Sequence, residues 1–196
     1  NNNVMIGSHA GDNFDTEASN VGIGTDALGG AIAGGEQNVA VGRLSLTALT
    51  SGDDNVAVGH NAGASITTGG FNTLVGRSAG EDMVANRLTA VGYSAGANTT
   101  GNLNNFFGFN CGSGNTTGAS NVAMGYNALY QPDTETNNLA IGNDALSGAI
   151  AGGEYNVAIG NLALDAVTAG DNNVAVGYNA GTGVTTGVQN VFVGDA

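Results

Sequence analysis

A five-residue string, Asn-Val-Ala-Val-Gly or a near relative, recurs twelve times along the chain and always closes on glycine: Gly7, Gly24, Gly42, Gly59, Gly76, Gly92, Gly108, Gly125, Gly142, Gly160, Gly177 and Gly194. The intervals are 17, 18, 17, 17, 16, 16, 17, 17, 18, 17 and 17 residues. A unit this short cannot bury an apolar face alone, so its copies must stack. One repeat is one rung, and residues 1–196 form a single array.

The columns that stacking creates can be read position by position. The first is Asn in eleven copies, namely Asn3, Asn20, Asn38, Asn55, Asn72, Asn104, Asn121, Asn138, Asn156, Asn173 and Asn190, with Leu88 in the other. Stacked amides bonding to one another and to corner backbone explain such a column. The second position is Val in eight copies and the fourth is always apolar, which suggests a strand whose two-residue alternation sends positions two and four into the core. The third position, Met5, Gly22, Ala40, Ala57, Leu74, Ala90, Phe106, Ala123, Ala140, Ala158, Ala175 and Phe192, is never polar and would then face outward. A strand apolar on both sides needs cover on both sides, so this column is expected to pack between chains.

Between strands each rung carries a small residue three positions after its closing glycine, Ala in most copies and Cys111 in one, and a Gly-rich polar corner such as Thr67-Thr68-Gly69. Gly (35 residues) and Asn (27 residues) are abundant because both reach the left-handed backbone region that sharp corners require. The expected fold is an all-β parallel β-solenoid, a β-roll of about twelve 17-residue turns, on the order of 50 to 60 Å long at the strand spacing of parallel sheets. Residues 25–76 and 143–194 match at 34 of 52 positions, a duplication that lengthens the rod. Both ends fall inside the pattern, which leads us to expect a segment of a longer fibre.

Charge removes several functional classes. Sixteen acids face only three bases, Arg43, Arg77 and Arg87, for a net charge of −13. Binding nucleic acid or anionic lipid needs clustered Lys and Arg, so neither partner is expected, and no apolar run approaches bilayer length. No phosphate loop, Ser-His-Asp set or convergent carboxylate pair is present, and the chain reads as non-enzymatic. His9 and His60 stand three rungs apart, about 14 Å, too far to share one metal. The weak calcium candidates are the corner acids Asp12, Asp15, Asp53 and Asp54, and no other cofactor is suggested. Cys111 reads as a small buried residue. The position after the closing glycine carries Tyr93, Phe109, Tyr126 and Tyr178, candidate contacts for a receptor because aromatic side chains on an exposed rib can stack on sugars or anchor a protein.

Strings such as Asn55-Val56-Ala57-Val58-Gly59-His60-Asn61-Ala62-Gly63 and Asn173-Val174-Ala175-Val176-Gly177-Tyr178-Asn179-Ala180-Gly181 resemble the head repeats of trimeric autotransporter adhesins. They are equally similar to repeats of phage tail fibres and of large bacterial surface proteins that end in a self-cleaving chaperone domain. The repeat here is longer, with an extra corner built around Thr-Thr-Gly or Ala-Gly-Gly-Glu. The resemblance implies three chains wrapped about a common axis, outside the cell, on a cell surface or on a virion fibre. The function expected is a structural rod that presents or forms a binding surface, with itself as partner in a homotrimer and a host glycan or surface protein as a further one. Two other classes fit parts of the pattern: an ice-binding solenoid, on the paired threonines, and a glycan-binding or polysaccharide-active β-helix.

Overall fold

The computed structural model describes residues 2–13, 17–30, 34–131, 134–148 and 152–195. Twelve three-residue strands, from Val4–Ile6 to Val191–Val193, form one parallel sheet in strict sequence order. Pairing is in register throughout, Val39 opposite Val56, Ala40 opposite Ala57 and Val41 opposite Val58, so equivalent repeat positions stack in straight columns. Twelve strands delimit about eleven complete turns of a parallel β-solenoid.

The strand is short because its ends are committed to corners. Eleven residues that precede the first repeat position, from Ser19 to Gln189, are left-handed, with φ between 57° and 65°. Each closing glycine lies at φ between 128° and 145°, which side chains rarely adopt. Space forbids a side chain there as well. A Cβ on Gly7 would lie 2.6 Å from the carbonyl oxygen of Gly24, in the rung above. After this glycine the chain makes a turn closed by bonds such as Ala62 N–H to Gly59 O (3.3 Å), with a left-handed residue, Asn61, at the third place as type II geometry demands. Backbone bonds between rungs continue around the corners, for example Gly63 N–H to Ala79 O (2.9 Å) and Asp82 N–H to Ala97 O (2.7 Å).

The inward and outward faces are the reverse of the sequence expectation. Ala40, Ala57, Leu74, Ala90, Phe106, Ala123, Ala140, Ala158 and Ala175 are fully buried inside their own chain, and Met5 and Phe192 at the ends pack against the same core. They cannot face another chain. The second and fourth positions point outward instead, with Val58, Val75, Val122, Met124 and Val176 among those exposed. Alternation puts positions one, three and five on one side, and these are Asn, a small residue and Gly, the set a thin coil can hold.

Core volume is shared between two columns. Where the third position is small, the residue four places after the closing glycine is usually Leu: Gly22 goes with Leu28, Ala40 with Leu46, Ala123 with Leu129, Ala140 with Leu146 and Ala158 with Leu164. Where the third position is large, that residue is glycine: Leu74 with Gly80 and Phe106 with Gly112, at which a Cβ would lie 2.6 Å from the Phe106 ring. Ala57 and Gly63 are both small, and the space falls to Leu46, Leu74 and Ile66. Where both columns are small, as also at Ala90 with Gly96, large side chains of neighbouring levels fill the space, Phe106 and Leu88 among them.

Candidate functional site

The Asn column is a ladder on the inner side of the sheet, broken only at Leu88, whose N–H still donates to Asn72 Oδ1 (2.9 Å). Asn55 shows the unit. Its backbone N–H and its Nδ2 both donate to Asn38 Oδ1 (3.0 Å each), Nδ2 also donates to Gly69 O (2.9 Å), and its own Oδ1 accepts from the N–H (3.1 Å) and Nδ2 (2.8 Å) of Asn72. Backbone N–H to Oδ1 bonds of this kind bind Asn20 to Asn3, Asn121 to Asn104, Asn138 to Asn121, Asn156 to Asn138, Asn173 to Asn156 and Asn190 to Asn173. Asn20, Asn38, Asn55, Asn104, Asn121, Asn156 and Asn173 are wholly buried, so these amides hold rungs together and are out of reach of a ligand.

The corner acids serve the same end. Asp53 Oδ1 accepts the N–H of Glu36 in the rung below (2.8 Å), and Asp171 does the same for Glu154 (2.9 Å). Buried Glu17 and Glu135, 118 positions apart, receive the N–H of Gly34 (3.1 Å) and Gly152 (2.8 Å) from the two 18-residue rungs. Of the calcium candidates, Asp12 and Asp54 are exposed and Asp15 lies outside the described residues. Among the described residues no three His, Cys, Asp or Glu side chains come together as a metal group. Cys111 is fully buried, and burial pushes its thiol from 9.0 to about 12 against the opposing effect of backbone bonds at Phe107 and Gly125.

What faces solvent is the other side of the sheet. Four outward columns cross it: the left-handed residue before the strand, positions two and four, and the residue after the closing glycine. That last column forms a rib along the rod. Arg43 Nη1 donates to His60 Nε2 (3.1 Å), and the Arg77 guanidinium lies over the Tyr93 ring, 5.7 Å from its centroid. The Tyr93 ring stacks on Phe109 (4.9 Å, 11° between planes), which stacks on Tyr126 (5.5 Å, 14°). Tyr178 is exposed farther along. The sequence placed these residues in one column; the rings in contact are a consequence of three successive rungs each carrying one.

Stacking changes what the rib can do. Each inner ring face is occupied by its neighbour. A sugar needs an open ring face to stack on, and with Arg77 over the outer face of Tyr93 the open face in this run is that of Tyr126 at the other end. The opposite rib, missed in the sequence, carries exposed Phe71 with the Arg87 guanidinium over its ring (5.7 Å), and then Leu103 and Tyr155. All three arginines therefore flank one face, where Asp54 and Asp195 are the acids of the same two columns. No protein-family model, curated protein or solved structure matches the chain.

Proposed function

We propose that the chain is a structural, non-enzymatic segment of a fibre or adhesin displayed outside the cell, on a cell surface or a virion, and that it works as a homotrimer. The observation that carries this reading is the outward sheet face: apolar side chains at the fourth position on every rung and at the second on all but Thr73, Thr89 and Asn105. With its two flanking ribs the face is about 50 Å by about 20 Å, or about 1,000 Å2, comparable to the roughly 800 Å2 per partner of a stable interface, and the apolar positions two and four make up about half of it. A second copy suits it by period. Only another stack with the same rise stays in step over such a length, whereas side chains on one face of an extended peptide repeat at about 6.7 Å against about 4.8 Å per rung.

The rod holds its binding surface at a distance by an unbroken ladder of interstrand bonds and offers proteases few long loops. A host glycan or surface protein is the further partner, met at the ribs. The ice-binding alternative draws less support, because Thr50, Thr100 and Thr168 spend their hydroxyl protons on the carbonyls of Thr67 (2.9 Å), Thr116 (2.8 Å) and Thr185 (3.1 Å). Light scattering tests the assembly: a mass of three 19.1 kDa chains is expected, and a wild type that stays monomeric at all concentrations overturns it.

A further inference from the structure

The second-position column is Val or Leu on nine rungs and polar on three, and the three are consecutive: Thr73, Thr89 and Asn105. Strand pairing sets them in one line, Thr73 opposite Thr89 and Thr89 opposite Asn105, with Val56 before the run and Val122 after it. Thr73 is exposed, Thr89 and Asn105 are half-buried, and none of these side chains has a hydrogen-bond partner among the described residues of its own chain. The run occurs at one height only. In the duplicated block Val191 stands where Thr73 stands in the first, so the repeat did not copy it.

Uniform apolar columns bring two copies side by side without fixing their relative height, because a slip of one rung sets Val against Val again. Staggered copies leave unequal ends and keep adding, as interfaces that do not close generally do. A polar run at one height removes this freedom. A Thr hydroxyl and an Asn amide each donate and accept, so both are satisfied by their own equivalents, whereas against Val they would be buried without a partner. We propose that Thr73, Thr89 and Asn105 set the register of the assembly, and that what covers them is a second copy lying parallel with each rung level with its equivalent. This rests on the homotrimer, whose threefold axis keeps the chains parallel. The run gives up apolar contact in exchange for a unique height, as a single buried Asn does in coiled coils. Its rival is a twofold arrangement centred on Thr89, which would also set polar against polar by bringing Thr73 to Asn105.

Pulsed electron-spin distance measurements on the full chain separate the two. Nitroxide labels are placed on Thr68→Cys or on Thr186→Cys, exposed corner residues at equivalent places in rungs far apart along the rod. Cys111 is buried and stays unlabelled. The parallel assembly is expected to give the same narrow separation at both sites. The triple variant Thr73→Val, Thr89→Val, Asn105→Val alters outward positions only, and circular dichroism verifies its fold. It is expected to stay assembled with a distance distribution about twofold wider, since each rung of stagger displaces a label by about 4.8 Å. A longer separation at Thr186 than at Thr68 would establish the twofold arrangement and overturn the proposal. A triple variant that is monomeric, or as narrow in distribution as its parent, overturns it as well. A wild type with the light-scattering mass of one chain is a separate outcome, which overturns the homotrimer and this inference together.

Discussion

Single positions in this coil matter according to whether every rung repeats their job. Asn55→Ala removes an acceptor for two donors of Asn72 and a donor to Gly69 O, all buried, and is expected to cost about 3 kcal/mol or more, measured by urea unfolding. Thr99 has the opposite character. It occupies an inward column that elsewhere holds Leu49, Ile66, Met83 and Val167, and its buried hydroxyl oxygen has no partner. Thr99→Val should therefore raise stability by about 1 kcal/mol, and an equal or lower midpoint in the same assay contradicts this. Backbone strain is also distributed: among the described residues 27 that bear side chains are left-handed, Leu28, Leu46, Leu129, Leu146 and Leu164 among them. Sequence could anticipate Gly and Asn at corners but not Leu, whose φ is imposed by backbone bonding to the next rung, as in Leu46 N–H to Ala62 O (3.0 Å), and by core filling. Exposed left-handed Gln37 needs no such side chain, and Gln37→Asn is expected to gain a few tenths of a kcal/mol. Cys111 titrates from 9.0 in the unfolded chain to about 12 when folded, so its contribution is complete below pH 9 and is lost as pH rises toward 12, by about 4 kcal/mol in all. Thiol reagents are expected to leave it untouched at pH 8 until denaturant is added.

For the rung as an element, period and Asn column are legible in the sequence because the closing glycine recurs every 16 to 18 residues and eleven of twelve copies open on Asn. Which side faced inward was misread, since two Val against one Ala suggested that the bulkier pair made the core. Asn at the first position in eleven copies and Gly at the fifth in all twelve carry the missing signal: they share a side with the third position, and neither belongs on the outside of a thin coil at so many levels. The partnership between third-position size and the following Leu or Gly was also present in the sequence, but it acquires meaning only once both columns are known to meet. Phe106 fills its level alone, and Phe106→Ala is expected to cost about 3 to 5 kcal/mol. The aromatic stack was half legible: the column was apparent, and the closure of the ring faces was not, because ring orientation depends on rung spacing.

For the whole molecule, two features oppose one another: a net charge of −13 that drives copies apart and an apolar sheet face that exposure to water drives together. Raising salt from low to physiological concentration should thus strengthen self-association, and a concentration series in the analytical ultracentrifuge will reveal the trend. The rod itself should be indifferent to that change, because its rungs are joined mainly by backbone and amide hydrogen bonds. The inside-out arrangement of the strand is tested most directly by comparing neighbours. Ala57→Asp buries a charge in the core and is expected to unfold the chain, whereas Val58→Asp with Val176→Asp touches only outward positions. The decisive measurement is the light-scattering mass of that double variant beside wild type. The expected result is three chains for wild type and a single 19.1 kDa chain, still rich in β-structure, for the variant; an unchanged mass in the variant would contradict the assignment of positions two and four to the interface.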